Sequence, residues 1–361
     1  MKRLSLLLLL ISLCSYAQEG GFAIDANYFY GNIIPHNKTI KHLITGHPDG
    51  VLLSFNSRTF GQKEWHQAYN FPDVGFSLHY EDLKNSSLGE MYGLYGHYNF
   101  YFLHRRLQLR IAQGLAYNTN PYDRETNFRN YAYGMHLMPS TYFLLNYDKP
   151  AIWNGLGVKA GLLFVHHSNA NIKAPNTSTN TFAINAGVSY SFGEKQERIT
   201  TVNDSVTNYS ERIKYNIVFR GGVNESDVIG SGQYGYYAVS AYADKRIGRY
   251  SAFQLGGDFF WPKYLKEYIA YKSVSYPEEN IKAGTDYRKA GISVGYELFI
   301  NRFSAEAQAG AYVYAPFKEP GILYQRVGLK YYAYKNIFAA MTLKTHGAKA
   351  EVLEFGVGIR L

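Results

Sequence analysis

Hydrophobic and polar residues alternate with a period of two along most of this chain, from Phe22 to its last residue. Such alternation predicts half-buried β-strands, because successive side chains of a strand point to opposite faces. No segment shows a convincing amphipathic helical period. The alternation predicts eight strands in the first half, at 22–30, 51–59, 74–81, 92–102, 107–117, 132–147, 155–168 and 181–192. It predicts eight more in the second half, at 213–223, 234–246, 251–261, 284–299, 303–314, 323–334, 337–345 and 350–361.

The connections between these strands largely alternate between long and short. Segments 31–50 and 118–131 are long, polar and rich in Asn, His and Pro, whereas 104–106 and 148–154 are compact. Outer-membrane barrels have long external loops and short periplasmic turns. Segment 60–72 departs from this pattern, because it is long where a turn is expected. The sequence therefore predicts an all-β fold, an antiparallel transmembrane β-barrel in the outer membrane of a Gram-negative cell.

The two halves resemble each other across a polar, charged break at 193–212. The segment 93–122 can be laid against 295–317, since each has a Gly-Tyr strand, a turn with Arg and a strand containing Ala-Gln. Two architectures fit: one barrel of roughly 12 to 16 strands, or two tandem barrels of about eight strands each. A single barrel is favoured, because lipid does not tolerate open sheet edges and the connecting segment is short.

The first residues read as a cleaved secretory signal. Lys2 and Arg3 precede the apolar stretch Leu4–Leu13, and cleavage is expected after Ala17. Cys14, the one cysteine, would leave with this signal, so no disulfide or cysteine metal site is expected in the mature chain. The predicted organisation is a signal at 1–17, a first barrel region at 18–192, a linker or loop at 193–212 and a second barrel region at 213–361.

Composition agrees with a membrane barrel. Aromatic residues make up 17% of the chain, with 35 Tyr and 22 Phe, while the mean hydropathy is only -0.27. Only every second residue of a barrel strand faces lipid, and tyrosine suits the membrane interface. The net charge of +9 includes no long basic run and is typical of solvated loops. No nucleotide fingerprint or nucleic-acid module is visible, and neither a cofactor nor a metal site is expected.

The sharpest local signal is the segment 166–187, HHSNANIKAPNTSTNTFAINAG. Even-numbered residues of strand 155–168 are apolar, whereas the other face carries Lys159, so the even face should meet lipid. By the same parity His166, Ser168 and Asn180 should lie on the outer wall of adjacent strands. Counting from a periplasmic N-terminus places them near the external rim, beside the outer leaflet. Since residues two apart in a strand point the same way, a base there can reach a hydroxyl nucleophile.

At these residues the chain resembles the PagL-type lipid A 3-O-deacylases, outer-membrane serine esterases of the acyloxyacyl hydrolase family. His166-His167-Ser168-Asn169 resembles their His-x-Ser-Asn motif, and Asn176 corresponds to their loop asparagine. The resemblance covers about 22–192 and is most specific around 164–187. It implies Ser168 as nucleophile, His166 as general base, and Asn169 and Asn176 near the oxyanion-stabilising region.

The chain departs from the family pattern at two places. Asn180 stands where the family has a carboxylate, and Thr177-Ser178 replaces the usual Pro-Gly. An amide oxygen can orient a histidine but cannot stabilise its imidazolium by charge. In the second half, Thr345 occupies the place of the base, and His346, Glu354 and Arg360 fall on the predicted lumenal face, where a polar network is expected.

Two functions follow from these observations. The first is a serine esterase that removes an ester-linked acyl chain from lipid A, the anchor of lipopolysaccharide, or from a related outer-leaflet lipid. The alternative is a non-catalytic barrel on the same scaffold, such as a porin or a structural or binding protein. The retained His-Ser-Asn-Asn set favours the esterase, and the missing carboxylate favours the alternative.

Overall fold

The computed structural model describes residues 21–35, 37–193, 197–200 and 209–361. The predicted signal at 1–17 and part of the predicted linker lie outside the described residues. The described chain forms two compact units. The first unit contains the described residues up to Asn169 and those from Thr177 to residue 200. The second unit contains Ala170–Asn176 and residues 209–361.

Each unit contains one closed, antiparallel barrel of eight strands. The strands of the first barrel are β1 (Phe22–Ile33), β2 (Asp49–Ser57), β3 (Asp73–Asp82), β4 (Glu90–Phe102), β5 (Leu107–Asn118), β6 (Leu137–Trp153), β7 (Leu156–His167) and β8 (Thr179–Phe192). Those of the second are β9 (Lys214–Glu225), β10 (Gln233–Gly248), β11 (Ser251–Pro262), β12 (Lys289–Ile300), β13 (Phe303–Tyr314), β14 (Leu323–Tyr334), β15 (Ile337–His346) and β16 (Lys349–Arg360).

The prediction of an all-β antiparallel barrel fold is confirmed, but the preference for a single large barrel is wrong. In the first barrel, β8 pairs with β1 from Phe22–Phe192 to Ile33–Thr181. In the second, β16 pairs with β9 from Phe355–Gly221 to Arg360–Asn216. Because β8 is already paired with β1 and β7, it has no edge to offer to β9. The alternative of two tandem eight-stranded barrels is therefore correct.

The internal similarity in sequence corresponds to equivalent places in the two barrels. The segment 93–122 covers the hairpin of β4 and β5, and 295–317 covers that of β12 and β13. Each hairpin supplies the fourth and fifth strands of its barrel along the chain. The segments 182–192 (FAINAGVSYSF) and 353–361 (LEFGVGIRL) are similar too. They lie in β8 and at the end of β16, which are the strands that close the two sheets.

Four short helices connect strands in the described residues, and the sequence pattern did not predict them. Residues Lys38–Leu43 and Pro277–Glu279 are 3-10 helices, and Glu64–Ala68 (α1) lies in the long 60–72 connection. The longest, α2 (Tyr264–Ser275), follows β11. Its buried side includes Lys272, which pairs with Glu279 and Glu319, so no continuous apolar stripe marks the helix. None of the described helices is long and apolar enough to span a membrane.

Side chains fill the interior of the first barrel, as expected for eight strands. At its centre, Arg110 Nη2 lies 2.8 Å from Asp25 Oδ2, and Lys159 Nζ lies 3.4 Å from the same oxygen. All three side chains are almost completely buried. On the outer wall, by contrast, Ile184 and Val188 are exposed. The barrel therefore has an apolar outside and a polar, charge-paired inside, and Lys159 faces the lumen as predicted.

The interior of the second barrel holds a similar network. Arg326 lies between Asp258 and Glu354, with its Nη1 2.8 Å from Asp258 Oδ1 and its Nε 2.7 Å from Glu354 Oε2. Lys330 lies between Glu297 and Glu306, at 2.8 and 2.7 Å. The lumenal polar network expected around Glu354 is therefore present.

Candidate functional site

The candidate site lies where β7 ends and β8 begins. His166 is the last residue but one of β7, Asn180 is the second residue of β8, and the two are direct partners in the antiparallel register. Directly opposed residues project to the same face of a sheet. Exposed Leu162 and Phe182 share that parity, so His166 and Asn180 lie at one end of the apolar outer wall. Lys159 and Asn185, with the opposite parity, are buried in the lumen.

His166 and Asn180 are joined by a short hydrogen bond. Nδ1 of His166 lies 2.6 Å from Oδ1 of Asn180. An amide oxygen only accepts hydrogen bonds, so Nδ1 of His166 donates. In a neutral imidazole the lone pair is then on Nε2. This is the tautomer that a general base requires.

Ser168 lies just beyond the end of β7. Its backbone N–H donates to Pro139 O at 3.4 Å, which continues the pairing of β7 with β6 by one residue. Ser168 is 9% exposed, whereas His166 and Asn180 are half-buried. Ser168 therefore lies where β7 passes into the following loop, two residues after His166.

The two asparagines expected near an oxyanion fall in different units. Asn169 is fully buried and belongs to the first unit. Asn176 belongs to the segment Ala170–Asn176 of the second unit, and its amide donates to Asn171 Oδ1 at 3.3 Å. The structure thus places His166, Ser168, Asn169 and Asn180 on the first unit, but not Asn176.

Two family models match the chain. The model described as lipid A 3-O-deacylase (PagL) matches residues 49–189, and the model described as acyloxyacyl hydrolase, C-terminal domain, matches residues 213–361. The first match spans the candidate site, and together the two cover both barrels. The chain belongs to the PagL-type lipid A 3-O-deacylase family. The family's activity is the hydrolysis of an ester bond of lipid A, so its members are hydrolases. The family and the barrel fold both point to the outer membrane.

Solved structures add little to this assignment. A mutant porin of Rh. blastica is 10% identical over 94% of this chain and 100% of that chain, with a TM-score of 0.20. The outer membrane protein Omp33 of Acinetobacter baumannii is 9% identical over 95% of this chain and 98% of that chain, with a TM-score of 0.19. At such scores neither likeness carries an argument. No curated protein matches the chain significantly.

The PagL-type motif is flanked on its lumenal side by contacts that sequence reasoning missed. His167 and Thr181, the neighbours of His166 and Asn180, both contact the buried carboxylate of Glu81 on β3. His167 Nε2 lies 3.0 Å from Glu81 Oε2, and Thr181 Oγ1 donates to Glu81 Oε1 at 2.6 Å. One carboxylate therefore ties together, from inside, the two strands that carry the candidate site. His79 and Glu81 are two residues apart in β3 and so share one face of the strand, which is a sequence signal that could have indicated this cluster.

The second barrel carries no copy of the motif in β15 and β16. Thr345, at the place of the base, donates a hydrogen bond to Gln325 Oε1 at 3.3 Å. His346 Nε2 lies 2.9 Å from the buried carboxylate of Glu351, and Arg360 binds Asp244. His346 and Arg360 belong to the internal network, and β15 offers no His-x-Ser pair, so the family motif belongs to the first barrel.

Proposed function

We propose that this protein is a serine esterase that removes an ester-linked acyl chain from lipid A or a related outer-leaflet lipid. Ser168 is the nucleophile, His166 is the general base and Asn180 orients His166. Asn169 and Asn176 are assigned to the oxyanion-stabilising region by resemblance to the family. The single observation that carries the proposal is the 2.6 Å contact between His166 Nδ1 and Asn180 Oδ1 on the outer wall.

The reaction follows from the tautomer of His166. The Oγ of Ser168 attacks the ester carbonyl carbon while its proton passes to Nε2 of His166. The tetrahedral intermediate collapses, the ester C–O bond breaks, and the alkoxide of the glycolipid takes the proton from His166. Water, activated by the same nitrogen, then hydrolyses the acyl-enzyme and releases the fatty acid.

The location of the residues supports a lipid substrate. A polar His and Asn on a lipid-facing strand are costly unless they serve a purpose. Apolar Leu162 and Phe182 lie on the same face of β7 and β8 as these two residues and are exposed to the surroundings of the barrel. An acyl chain lying along this wall would bring its ester to the rim at which β7 ends, where the outer leaflet holds its headgroups.

Mass spectrometry of lipid A tests this proposal. The full chain is expressed in the outer membrane of a heterologous host, beside Ser168→Ala, His166→Ala and the matched control His136→Ala. His136 is an exposed histidine on the first barrel whose Nδ1 contacts a backbone carbonyl rather than a side-chain amide. We expect the parent and His136→Ala to yield lipid A lacking one acyl chain, and both site variants to yield intact lipid A.

The alternative function, a barrel without catalysis, predicts a different outcome. Lipid A would then be intact with the parent as well, although the protein reaches the outer membrane and shows the heat-modifiable gel migration of a folded barrel. Deacylation by Ser168→Ala equal to that of the parent would refute the assignment of the nucleophile.

A further inference from the structure

A second cluster of chemically active side chains lies inside the first barrel, behind the candidate site. It consists of His79 and Glu81 on β3 and His167 on β7, each of which is almost completely buried. Their nearest ligand atoms all lie within 4.8 Å of one another. Nε2 of His79 is 3.7 Å from Glu81 Oε2, and Nε2 of His167 is 3.0 Å from the same oxygen.

His79 is the first indication that the cluster binds a ligand. Its side chain is completely buried, yet neither ring nitrogen has a hydrogen-bond partner among the described residues. Its ring stacks on Phe29 with an interplanar angle of 4° and meets the ring of Tyr95 edge-on. Buried polar side chains are nearly always hydrogen-bonded, so an unpartnered imidazole beside a carboxylate requires a reason.

The hydrogen bonds of Ser140 supply the second indication. Its Oγ lies 2.7 Å from the Tyr95 hydroxyl, 3.1 Å from the His166 carbonyl oxygen and 2.8 Å from His167 Nδ1. The carbonyl can only accept, so the single Ser140 proton goes to it. All three contacts are then satisfied only if Tyr95 and His167 Nδ1 both donate to Ser140 Oγ. His167 therefore carries a proton on Nδ1.

With its proton on Nδ1, a neutral His167 directs the lone pair of Nε2 at the Glu81 carboxylate, 3.0 Å away. Two electron-rich atoms remain at that distance only if a cation lies between or beside them. A proton on Nε2 would satisfy His167 and Glu81, but it would leave both nitrogens of His79 without a partner. A metal ion at the centre of the cluster would bind Glu81, His167 Nε2 and one ring nitrogen of His79.

We propose that His79, Glu81 and His167 form a binding site for a divalent transition-metal ion of the zinc class inside the first barrel. Two imidazoles and one carboxylate are a usual ligand set for zinc, with a fourth position for water. Ligand atoms around one tetrahedral zinc are roughly 3.3–3.6 Å apart, given bond lengths of about 2.0–2.2 Å. The observed separations of 3.0 and 3.7 Å lie on either side of that range.

The outer contacts of the cluster suit a metal site. Groups that are hydrogen-bonded to metal ligands commonly fix the tautomer and the orientation of those ligands. Here Ser140 accepts from His167 Nδ1, and Thr181 donates to the second oxygen of Glu81 at 2.6 Å. The ion would join β3 to β7 across the lumen, directly behind the strands that carry His166 and Asn180. Its expected contribution is to the stability of the barrel, since metal binding and folding are linked.

Metal analysis of the folded, full-length protein tests the site independently of any esterase activity. The parent is purified in detergent from cells grown with zinc, dialysed against metal-free buffer and measured by elemental mass spectrometry, beside His79→Ala, His167→Ala and His97→Ala. His97 is a matched control, because it is buried in the same lumen but has partners for both ring nitrogens, Ser77 and Asn56. We expect stoichiometric zinc in the parent and in His97→Ala, and its loss from the other two variants.

A second measurement is made on the parent itself, so its result does not depend on whether the alanine variants of His79 and His167 fold. The parent, stripped with a chelator and refolded with Co²⁺, should show the visible absorption of tetrahedral cobalt, and Ser140→Ala should weaken zinc affinity about 10–100-fold. Folded parent that retains no stoichiometric metal and shows no cobalt absorption would overturn the proposal. Zinc retained by His79→Ala and His167→Ala at the parental level would overturn it too.

Discussion

Restoring the missing carboxylate is the most informative perturbation of the candidate site. In Asn180→Asp the side chain keeps its length, so an oxygen stays where Oδ1 now lies, 2.6 Å from His166 Nδ1. The substitution adds a negative charge beside the imidazolium that forms when His166 takes the serine proton. We expect it to raise the rate of deacylation, because the amide orients the ring but does not compensate its charge.

The expected increase in the rate of deacylation follows from the distance between the new carboxylate and the imidazolium and from the burial of His166. Two unit charges about 4 Å apart interact by ~1 kcal/mol in water and by ~4 kcal/mol at an effective dielectric constant of ~20. His166 is half-buried, so its environment lies between these limits. Because each ~1.4 kcal/mol of transition-state stabilisation is a factor of ten, the expected acceleration is roughly 5-fold to 10³-fold.

The assay is the time course of lipid A deacylation by purified, folded barrels in mixed micelles, and the chain offers a matched control. Asn32, on neighbouring β1, contacts a histidine in the same way, with His47 Nδ1 2.5 Å from its Oδ1. Asn32→Asp therefore adds the same charge beside another histidine on the same barrel. If Asn180→Asp is no faster than Asn32→Asp, or if Asn180→Ala retains the full parental rate, Asn180 is not the third residue of the site.

Three further predictions concern the barrels. Arg110→Met leaves Asp25 buried without its closest ion-pair partner and should lower the free energy of unfolding by ~3–5 kcal/mol in urea titrations, whereas an unchanged midpoint would contradict the lumenal network. A protease site inserted in the predicted linker 193–212 should, after cleavage, leave two fragments that are each heat-modifiable on gels, because each sheet closes on itself. In the loop before β12, hydrogen bonds from Arg288 lower the pKa of Asp286 from 3.8 to about 2. The backbone amide of Arg288 donates a hydrogen bond to this carboxylate at 3.0 Å. Its protection from hydrogen exchange should thus be full above pH 4 and be lost as the pH falls towards 2, and in Asp286→Asn it should be absent throughout.

Most of the fold was predictable from local pattern. Alternation located all sixteen strands in the described part of the chain, because a strand that faces lipid on one side and a packed lumen on the other must alternate. The bounds were least accurate where connections carry aromatic residues, so that the predicted strand 132–147 in fact begins at Leu137. Helix α2 was missed because its buried side includes Lys272, whose ion-pair partners Glu279 and Glu319 both lie outside the helix.

The candidate site likewise has a part that the sequence predicted and a part that it did not. Parity and the His-x-Ser-Asn motif were enough to bring His166 and Asn180 together, since both depend only on strand period and on the pairing of neighbouring strands. The association of Asn176 with the second unit depends on how its loop folds, which no spacing in the sequence expresses.

The identity of the strands, their two faces and the family motif on one outer wall can all be read from the order of residues along the chain. Which strands close on each other and which lumenal residues meet depends on the folded chain as a whole. The pairing of β8 with β1, and not with β9, joins residues about 160 positions apart by backbone hydrogen bonds that any alternating strand could make. The cluster of His79, Glu81 and His167 exists for the same reason, because the closure of the barrel brings β3 and β7 to opposite sides of one narrow lumen.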